Sequence, residues 1–340
     1  MKPLKYIGLA LAAFSCAQLA VAQEAPKLQA YVVVPGSKKV EALKIERGDG
    51  NGAFYYLQKG TDQLLSAPAS SCKVFYLVPP AEMTSALNDY YGGETADARK
   101  AFASIKKKYA AFAGLPGSPA TLAALNEMTC AARMCDLPAV KTLAAEIPGA
   151  KALNACETAR VAAAKVLGES GDTPDAQAKV KAAMDELSKD KATLRNMDTE
   201  SYGWLCYAEA RAMAAQIPAD QLAATIAADK AKIASEAVDK YCQAVMSMHG
   251  AHKGMPADAL NRAMTILWAM PGVKDEAAKA AKPMDKKAWA KANADFREAV
   301  AMAHYLKTLY PPSAKEPNAL ADQLDAYYCN ALEGVKKGGE

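Results

Sequence analysis

The chain has 340 residues, of which 41 are lysine or arginine and 37 are aspartate or glutamate. This length is enough for two or three domains. The two signs of charge are mixed and nearly balanced. That balance argues against nucleic acid as a partner, because nucleic-acid-binding proteins carry a concentrated excess of positive charge.

Residues 1–22 have the pattern of a cleavable signal peptide. Lys2 and Lys5 supply a basic start, an apolar run follows, and the small side chains of Ala20 and Ala22 fit a cleavage site. No later stretch approaches the roughly 20 apolar residues that a membrane span needs. We therefore expect an exported protein, periplasmic or extracellular, with no membrane span after cleavage.

The cysteine content fits export. The chain has 8 cysteines, and all but Cys16 follow the expected cleavage site. Disulfides are the default expectation in an oxidising compartment, and an odd number of cysteines leaves at least one thiol free or paired between chains. The candidate pairs are Cys130–Cys156 and Cys206–Cys242, since each pair would join neighbouring helices.

The segment 23–80 is rich in β-branched and aromatic residues and is interrupted by turn-forming sequences. It predicts a β-meander of three or four strands that packs against the helices that follow it. The stretch "ERGDGNGAF" predicts a hairpin loop, because Gly and Asn tolerate the positive φ angles of tight turns. The predicted strands lie at 30–34, 40–46, 52–58 and 73–78.

The pattern changes to helical from residue 81 to residue 340. Alanine, which has the best helix propensity, is abundant, and apolar-Pro pairs recur where helices are expected to begin or end. In the stretch 94–112, Ala98, Phe102, Ile105 and Tyr109 form one apolar stripe. The predicted helices are 80–91, 94–113, 118–135, 137–147, 150–168, 173–189, 198–216, 219–249, 256–270, 273–281, 285–309 and 316–334.

One segment, "ALNDYYGGETADARKAFASIKKKY", resembles a tetratricopeptide repeat. Gly93 stands at the turn between the two helices, and Ala98 and Phe102 occupy the small and aromatic positions of the second helix. The match departs from the family at Tyr90, which is one place off, and at the closing proline. The segment is also similar to secreted bacterial repeat proteins that act as scaffolds. The resemblance implies an array of α-hairpins with a concave binding surface.

A second candidate site lies around the stretch "AVMSMHGAHKGMP". Cys242, Met246 and His249 share one stripe of a predicted helix, and His252 and Met255 follow where the chain turns back. Thiolate, thioether and imidazole ligands together suit copper(I). The alternative is a helix end packed with methionine, in which a histidine in the last turn meets the negative end of the helix dipole.

A third candidate is the aromatic stretch "SYGWLCYAEARAMAAQ". Tyr202, Trp204 and Tyr207 cannot all lie on one stripe of a helix. The helix is therefore either buried on two sides, or presents a ring to a peptide-binding groove. We carry these three residues forward as candidates for a binding surface.

No residue is assigned a catalytic role, because nucleophile-elbow, P-loop, zinc-protease and dinucleotide-binding motifs do not occur in the sequence. We expect a mostly α protein that acts as a non-catalytic exported scaffold for a protein or peptide of the cell envelope. The alternatives are a copper-binding protein and an α/α-toroid carbohydrate-active enzyme, which needs only two suitably separated carboxylates. Copper is the one cofactor that the sequence suggests.

Overall fold

The structure is a computed structural model that describes residues 26–33, 38–58, 60–61, 63–147, 152–248, 253–310 and 318–329. The expected signal peptide, His249 and His252 lie outside these residues. The predicted fold class is confirmed, since a small N-terminal antiparallel sheet precedes a helical body. Among the described residues, no helix is both long enough and apolar enough to span a bilayer.

The sheet has five strands rather than the predicted three or four. Their order is β4-β3-β2-β1-β5, and all neighbours are antiparallel. The additional strand β4 comes from the stretch "LLSAP", which lies between the predicted strands 52–58 and 73–78; it pairs along the full length of β3. The strands are β1 Leu28–Val33, β2 Glu41–Gly48, β3 Ala53–Leu57, β4 Leu64–Pro68 and β5 Val74–Leu77.

The predicted hairpin loop between β2 and β3 is confirmed. The Asp49 carboxylate accepts hydrogen bonds from the backbone of Asn51 (2.7 Å) and Ala53 (2.9 Å). Gly50 has a φ of 78°, which glycine adopts at little cost. A Cβ at Gly114 would collide with the Gly50 carbonyl, so two glycines allow this loop to sit directly against the chain that follows α2.

Fifteen α-helices follow in the described part of the chain. Two of the apolar-Pro pairs, Leu137-Pro138 and Met255-Pro256, lie in the first turn of a helix, as predicted. The helices are α1 Ala81–Gly92, α2 Thr95–Lys108, α3 Pro119–Arg133, α4 Leu137–Glu146, α5 Ala155–Glu169, α6 Pro174–Lys189, α7 Lys191–Arg195, α8 Thr199–Ala214, α9 Ala219–Ala223, α10 Ala228–Met248, α11 Gly254–Ala269, α12 Val273–Lys279, α13 Lys286–Lys291, α14 Ala294–Leu309 and α15 Ala319–Asp325.

Two long predicted helices are each divided in two. The predicted helix 219–249 becomes α9 and α10, because the amide of Ile226 between them donates to the carbonyl of Ala269 at the end of α11 (2.8 Å). The predicted helix 285–309 becomes α13 and α14, because the Asn293 side chain caps a new helix there. A tertiary hydrogen bond and a polar cap thus override local helix propensity.

The helical hairpin α1–α2 has the geometry that its sequence predicts. Gly93 ends α1 with a φ of 91°, and Ala98 and Phe102 are fully buried against the partner helix. The ring of Tyr90 meets Phe102 edge-on at 6.2 Å between centroids. From α1 to α7 each helix packs on the next one, and α3 also contacts α1 and α5, so α1, α3 and α5 lie side by side.

Two hydrophobic cores meet at α3. The inner face of the sheet shares one core with α1, α2 and one face of α3, and that core includes Ala30, Phe54, Phe102 and Leu115. The opposite face of α3 belongs to a larger core formed with the helices that follow. The expected domain boundary at residue 80 stays a prediction, but the first core extends across it. Through α3, the sheet and the helical body are joined by continuous packing.

Candidate functional site

A groove of about 400 Å³ opens between α1, α3 and the start of α5. Its apolar surface comes from Met83 and Leu87 of α1 and from Leu122 and Leu125 of α3. Tyr91 stands at its edge with 79% of its surface exposed. An aromatic ring that is left this open beside an apolar groove is a common feature of binding surfaces. We call this feature the three-helix groove.

The polar rim of the three-helix groove is fixed by hydrogen bonds within the protein. At the start of α5, the Asn154 side chain accepts from the amide of Glu157 (2.9 Å), and the Glu157 carboxylate accepts from the amide of Asn154 (2.8 Å). This reciprocal capping box holds both side chains in place. On α3, the Asn126 side chain donates to the Leu122 carbonyl (2.9 Å), which leaves its amide oxygen as an acceptor on the rim.

Arg160 and Asp198 close one end of the groove. The Arg160 Nε donates to Asp198 Oδ2 at 3.0 Å, and the other Asp198 oxygen caps α8 by accepting from the Ser201 amide at 2.8 Å. Burial by itself raises the pKa of Asp198. The Ser201 amide and the Arg160 guanidinium together lower this pKa by more than burial raises it, so the net shift is downward. Asp198 therefore stays ionised and keeps this end of the groove rigid.

A buried ion pair supports the groove from beneath. The Arg133 guanidinium lies over the Tyr90 ring, and it forms two hydrogen bonds with Glu200 at 2.8 and 3.0 Å. The Tyr90 ring in turn meets Tyr91 edge-on, with centroids 5.2 Å apart. The position of the exposed Tyr91 ring is thus coupled, through α3, to α8.

A second polar cluster lies where α3, α8 and α11 converge. The Tyr207 hydroxyl donates to Asp258 and lies 3.3 Å from the Cys135 sulfur. Asp258 also accepts a hydrogen bond from Arg262 (2.7 Å). Arg262 donates a second hydrogen bond to Asp172 in the loop between α5 and α6. Burial raises the pKa of Tyr207 well above its usual range, so its hydroxyl remains a donor. These groups form one continuous hydrogen-bonded chain.

The proposed copper ligands fall into different environments. Cys242 is half-buried, and burial raises the pKa of its thiol to about 11. Met246 is 70% exposed, whereas Met255 is fully buried. Within the ranges that the structure describes, no three His, Cys, Asp or Glu side chains are grouped for a metal ion. Because His249 and His252 lie outside those ranges, the copper site stays a prediction.

The aromatic residues of α8 divide between the core and the surface. Trp204 and Tyr207 are fully buried, so their proposed role in a binding surface is wrong, and only Tyr202 is exposed. The reason is that α8 is packed on several sides by α5, α6 and α10. A Cβ at Gly203 would collide with Met248 of α10, so glycine at this position permits the close approach that buries the rings.

The predicted disulfides are absent, since every described cysteine is a free thiol. Cys130 is buried in the core beside the sheet, whereas Cys156 is exposed on the rim of the three-helix groove. The Cys206 sulfur faces Gln243 at 3.8 Å from its side-chain oxygen. Cys242, one position earlier on α10, points about 100° away around the helix axis, so neighbouring helices alone do not bring these thiols together.

The chain matches none of the protein-family models, curated proteins or solved structures with which it was compared. The geometry of its own residues is therefore the basis for a functional proposal. Sequence reasoning overlooked Tyr91 and Leu87, although the pair Tyr90-Tyr91 carried a signal. Adjacent helical residues point about 100° apart, so the second ring of such a pair is a candidate for exposure when the first is buried.

Proposed function

We propose that this protein is an exported, non-catalytic scaffold that binds a peptide segment of another envelope protein in the three-helix groove. The observation that carries the proposal is the pairing of an apolar floor with the exposed Tyr91 ring. Three side-by-side helices from successive hairpins line this surface, which is the arrangement expected of a concave face in an α-hairpin array. Export and the tetratricopeptide resemblance remain part of the proposal.

The rim indicates the chemistry of the peptide. The charged residues that line the groove are Glu157, Asp198 and Arg160, so two negative charges face one positive charge. The Asn126 amide oxygen adds an acceptor, because its amide nitrogen is already used by Leu122. A segment with an apolar anchor residue, flanked by backbone N–H groups or by a basic side chain, is complementary to this surface.

Rigidity favours binding at this surface. Asn154, Glu157 and Asp198 are held by helix caps, and Arg160 by its ion pair. A preorganised rim loses little conformational freedom when a ligand binds, so more of the contact energy appears as affinity. The groove has a volume of only about 400 Å³, and we therefore expect it to hold a few residues of an extended or helical segment rather than a whole domain.

Selection from a displayed random-peptide library tests the proposal. Affinities of the selected peptides are then measured by fluorescence anisotropy for the unaltered protein, Tyr91→Ala and Tyr305→Ala. Tyr305 is an exposed tyrosine on α14 and provides the matched control. We expect Tyr91→Ala to weaken binding by about tenfold or more, as for an aromatic anchor, and Tyr305→Ala to leave it unchanged. Equal binding to all three proteins contradicts the proposal.

The copper-binding and carbohydrate-enzyme alternatives remain predictions, and each requires a different site. Copper binding requires His249 and His252, and elemental analysis of the protein with and without the double substitution to alanine tests it. A carbohydrate-active enzyme requires a pair of carboxylates across a sugar-sized cleft. The three-helix groove offers Glu157 and Asp198, but each is engaged in a cap or an ion pair, which favours a structural role for them there.

A further inference from the structure

Two arginines from different helices meet a single carboxylate beside α6. Arg211 of α8 and Arg262 of α11 both reach Asp172, which lies in the loop between α5 and α6. The nitrogen–oxygen distances are 3.2 and 2.7 Å for Arg211 and 2.9 and 3.4 Å for Arg262. Each guanidinium thus contacts both carboxylate oxygens of Asp172. Paired arginine forks around one group are the usual geometry of anion recognition.

Both arginines also contact residues other than Asp172. Arg262 donates its Nε to Asp258, which also accepts from the buried Tyr207 hydroxyl. The guanidinium of Arg211 lies 5.9 Å from the centre of the Tyr207 ring. These contacts come from the helical core and do not involve the loop that carries Asp172.

Asp172 is the most exposed member of this group. Its side chain keeps 59% of its surface in water, against 9% for Arg211 and 30% for Arg262. It caps neither flanking helix: the Thr173 side chain accepts from the Ala176 amide at the start of α6. Asp172 thus covers the arginines from the solvent side without being required by either helix.

The charges of the cluster leave a site for an anion when Asp172 is removed. Arg211 and Arg262 contribute two positive charges, and Asp258 contributes one negative charge, so one positive charge is in excess. We infer that Arg211 and Arg262 form an oxyanion-binding site in which Asp172 is a tethered internal ligand that a phosphate group displaces. We call it the two-arginine site. The two-arginine site is separate from the three-helix groove, so this inference does not depend on the proposed function.

Phosphate is favoured over a second carboxylate for a physical reason. A tethered side chain competes at an effective concentration in the millimolar range, so a free monocarboxylate gains little by replacing an aspartate. A phosphate group carries close to two negative charges near neutral pH, and its oxygens can engage both guanidinium forks at once. The group can belong to free phosphate or to a phosphate monoester, because both present the same oxygens.

Isothermal titration calorimetry with sodium phosphate tests the inference on the full exported chain. The variants are Asp172→Asn, which removes the internal ligand, and Asp175→Asn, which removes the same charge from an exposed pair with Lys179 nearby on α6. We expect Asp172→Asn to bind phosphate at least about tenfold more tightly than the unaltered protein, because the tethered competitor is gone. Asp175→Asn should bind like the unaltered protein. Equal affinity in the two variants overturns the inference.

Two additions make the result decisive. Arg262→Lys in the Asp172→Asn background should lose the gained affinity for phosphate, because lysine cannot form the two parallel hydrogen bonds of a guanidinium. Retained affinity assigns the phosphate to another place and overturns the inference.

If Asp172→Asn does not fold, the Nε–H signals of Arg211 and Arg262 are followed by NMR in the unaltered protein as phosphate is added. A shift supports the site, and unchanged signals overturn it. Phenyl phosphate in parallel separates monoesters from the free ion.

Discussion

The guanidinium carbon of Arg133 lies 4.0 Å from the centre of the Tyr90 ring, while its nitrogens hold Glu200 on α8. This relationship connects three helices through one side chain. Tyr90 stands next to Tyr91, the exposed ring of the three-helix groove. The shape of the groove therefore depends on a residue that does not line it.

Removal of the Arg133 side chain should destabilise the protein strongly. In Arg133→Met, the Glu200 carboxylate loses its bidentate partner in a setting where the two side chains are only 10% and 12% exposed. We expect a loss of about 3 kcal/mol in the free energy of unfolding, the lower end of the range for a broken buried pair. Urea denaturation measures it.

The matched control for Arg133→Met is Lys100→Met. Lys100 forms an i,i+3 pair with Asp97 on α2, and both side chains are largely exposed. Such surface pairs contribute about 0 to 1 kcal/mol, so this variant should unfold close to the unaltered protein. Similar losses in Arg133→Met and Lys100→Met would contradict the supporting role of the Arg133 pair.

Two adjacent glycines at the end of α1 should respond in opposite ways. Gly93 has a φ of 91°, a region that alanine enters only with strain, whereas Gly92 is the last helical residue and a Cβ there meets open space. We expect Gly93→Ala to cost about 1 kcal/mol and Gly92→Ala to be neutral or slightly stabilising. Thermal unfolding of both variants tests the turn, and equal melting temperatures would count against it.

The pH dependence of stability should contain a contribution from Glu82. Hydrogen bonds from Lys108 above all, then from the Glu82 backbone amide and the Tyr109 hydroxyl, lower the pKa of Glu82 from 4.5 to about 2. A lowered pKa stabilises the fold above the unfolded-state value, so this contribution is present above about pH 4.5 and disappears as the pH falls towards 2. Glu82→Gln should therefore flatten the curve of unfolding free energy in that window.

Urea unfolding at a series of pH values, with Glu41→Gln as the control, measures the Glu82 effect. Glu41 is exposed on β2, so Glu41→Gln controls for the loss of one exposed carboxylate. If Glu82→Gln keeps the same slope as the unaltered protein, then the contact between α1 and the end of α2 does not hold Glu82 ionised in solution.

The thiols should differ sharply in reactivity. Cys156 is exposed at the start of α5, whereas Cys130 is fully buried and burial raises its pKa to about 12. Because the thiolate is the reactive species, Ellman's reagent should modify Cys156 in the folded protein and Cys130 only after unfolding. Peptide mapping without reductant identifies the modified sites. A Cys130–Cys156 disulfide in that map would contradict the structure.

Much of the helical fold could be predicted from local sequence. The stripe through Ala98 and Phe102 and the glycine at 93 define the α1–α2 hairpin, because burial on one face and a left-handed turn are local requirements. The division between α9 and α10 could not be predicted in this way. It depends on the amide of Ile226 bonding to Ala269, and a contact across 43 positions leaves no periodic signal.

The candidate sites were harder to predict for a related reason. Tyr207 is an aromatic residue with a polar tip, and the sequence does not reveal whether its hydroxyl finds a buried acceptor. In the structure it finds Asp258, so the ring is core rather than surface. Asp172, in a Gly-Asp-Thr-Pro loop, reads as an ordinary turn residue. Its contacts with Arg211 and Arg262 arise from helix packing, which local sequence patterns do not predict.

The most direct test of peptide binding in the three-helix groove is photo-crosslinking from position 91. A benzophenone amino acid replaces Tyr91, or Tyr305 as the control, in the protein, and a fluorescent selected peptide is added. Peptide binding in the three-helix groove predicts an adduct from position 91 that unlabelled peptide suppresses, that Leu87→Glu abolishes, and that position 305 does not form. Adducts from both positions, or an adduct at 91 that persists with Leu87→Glu, would contradict it.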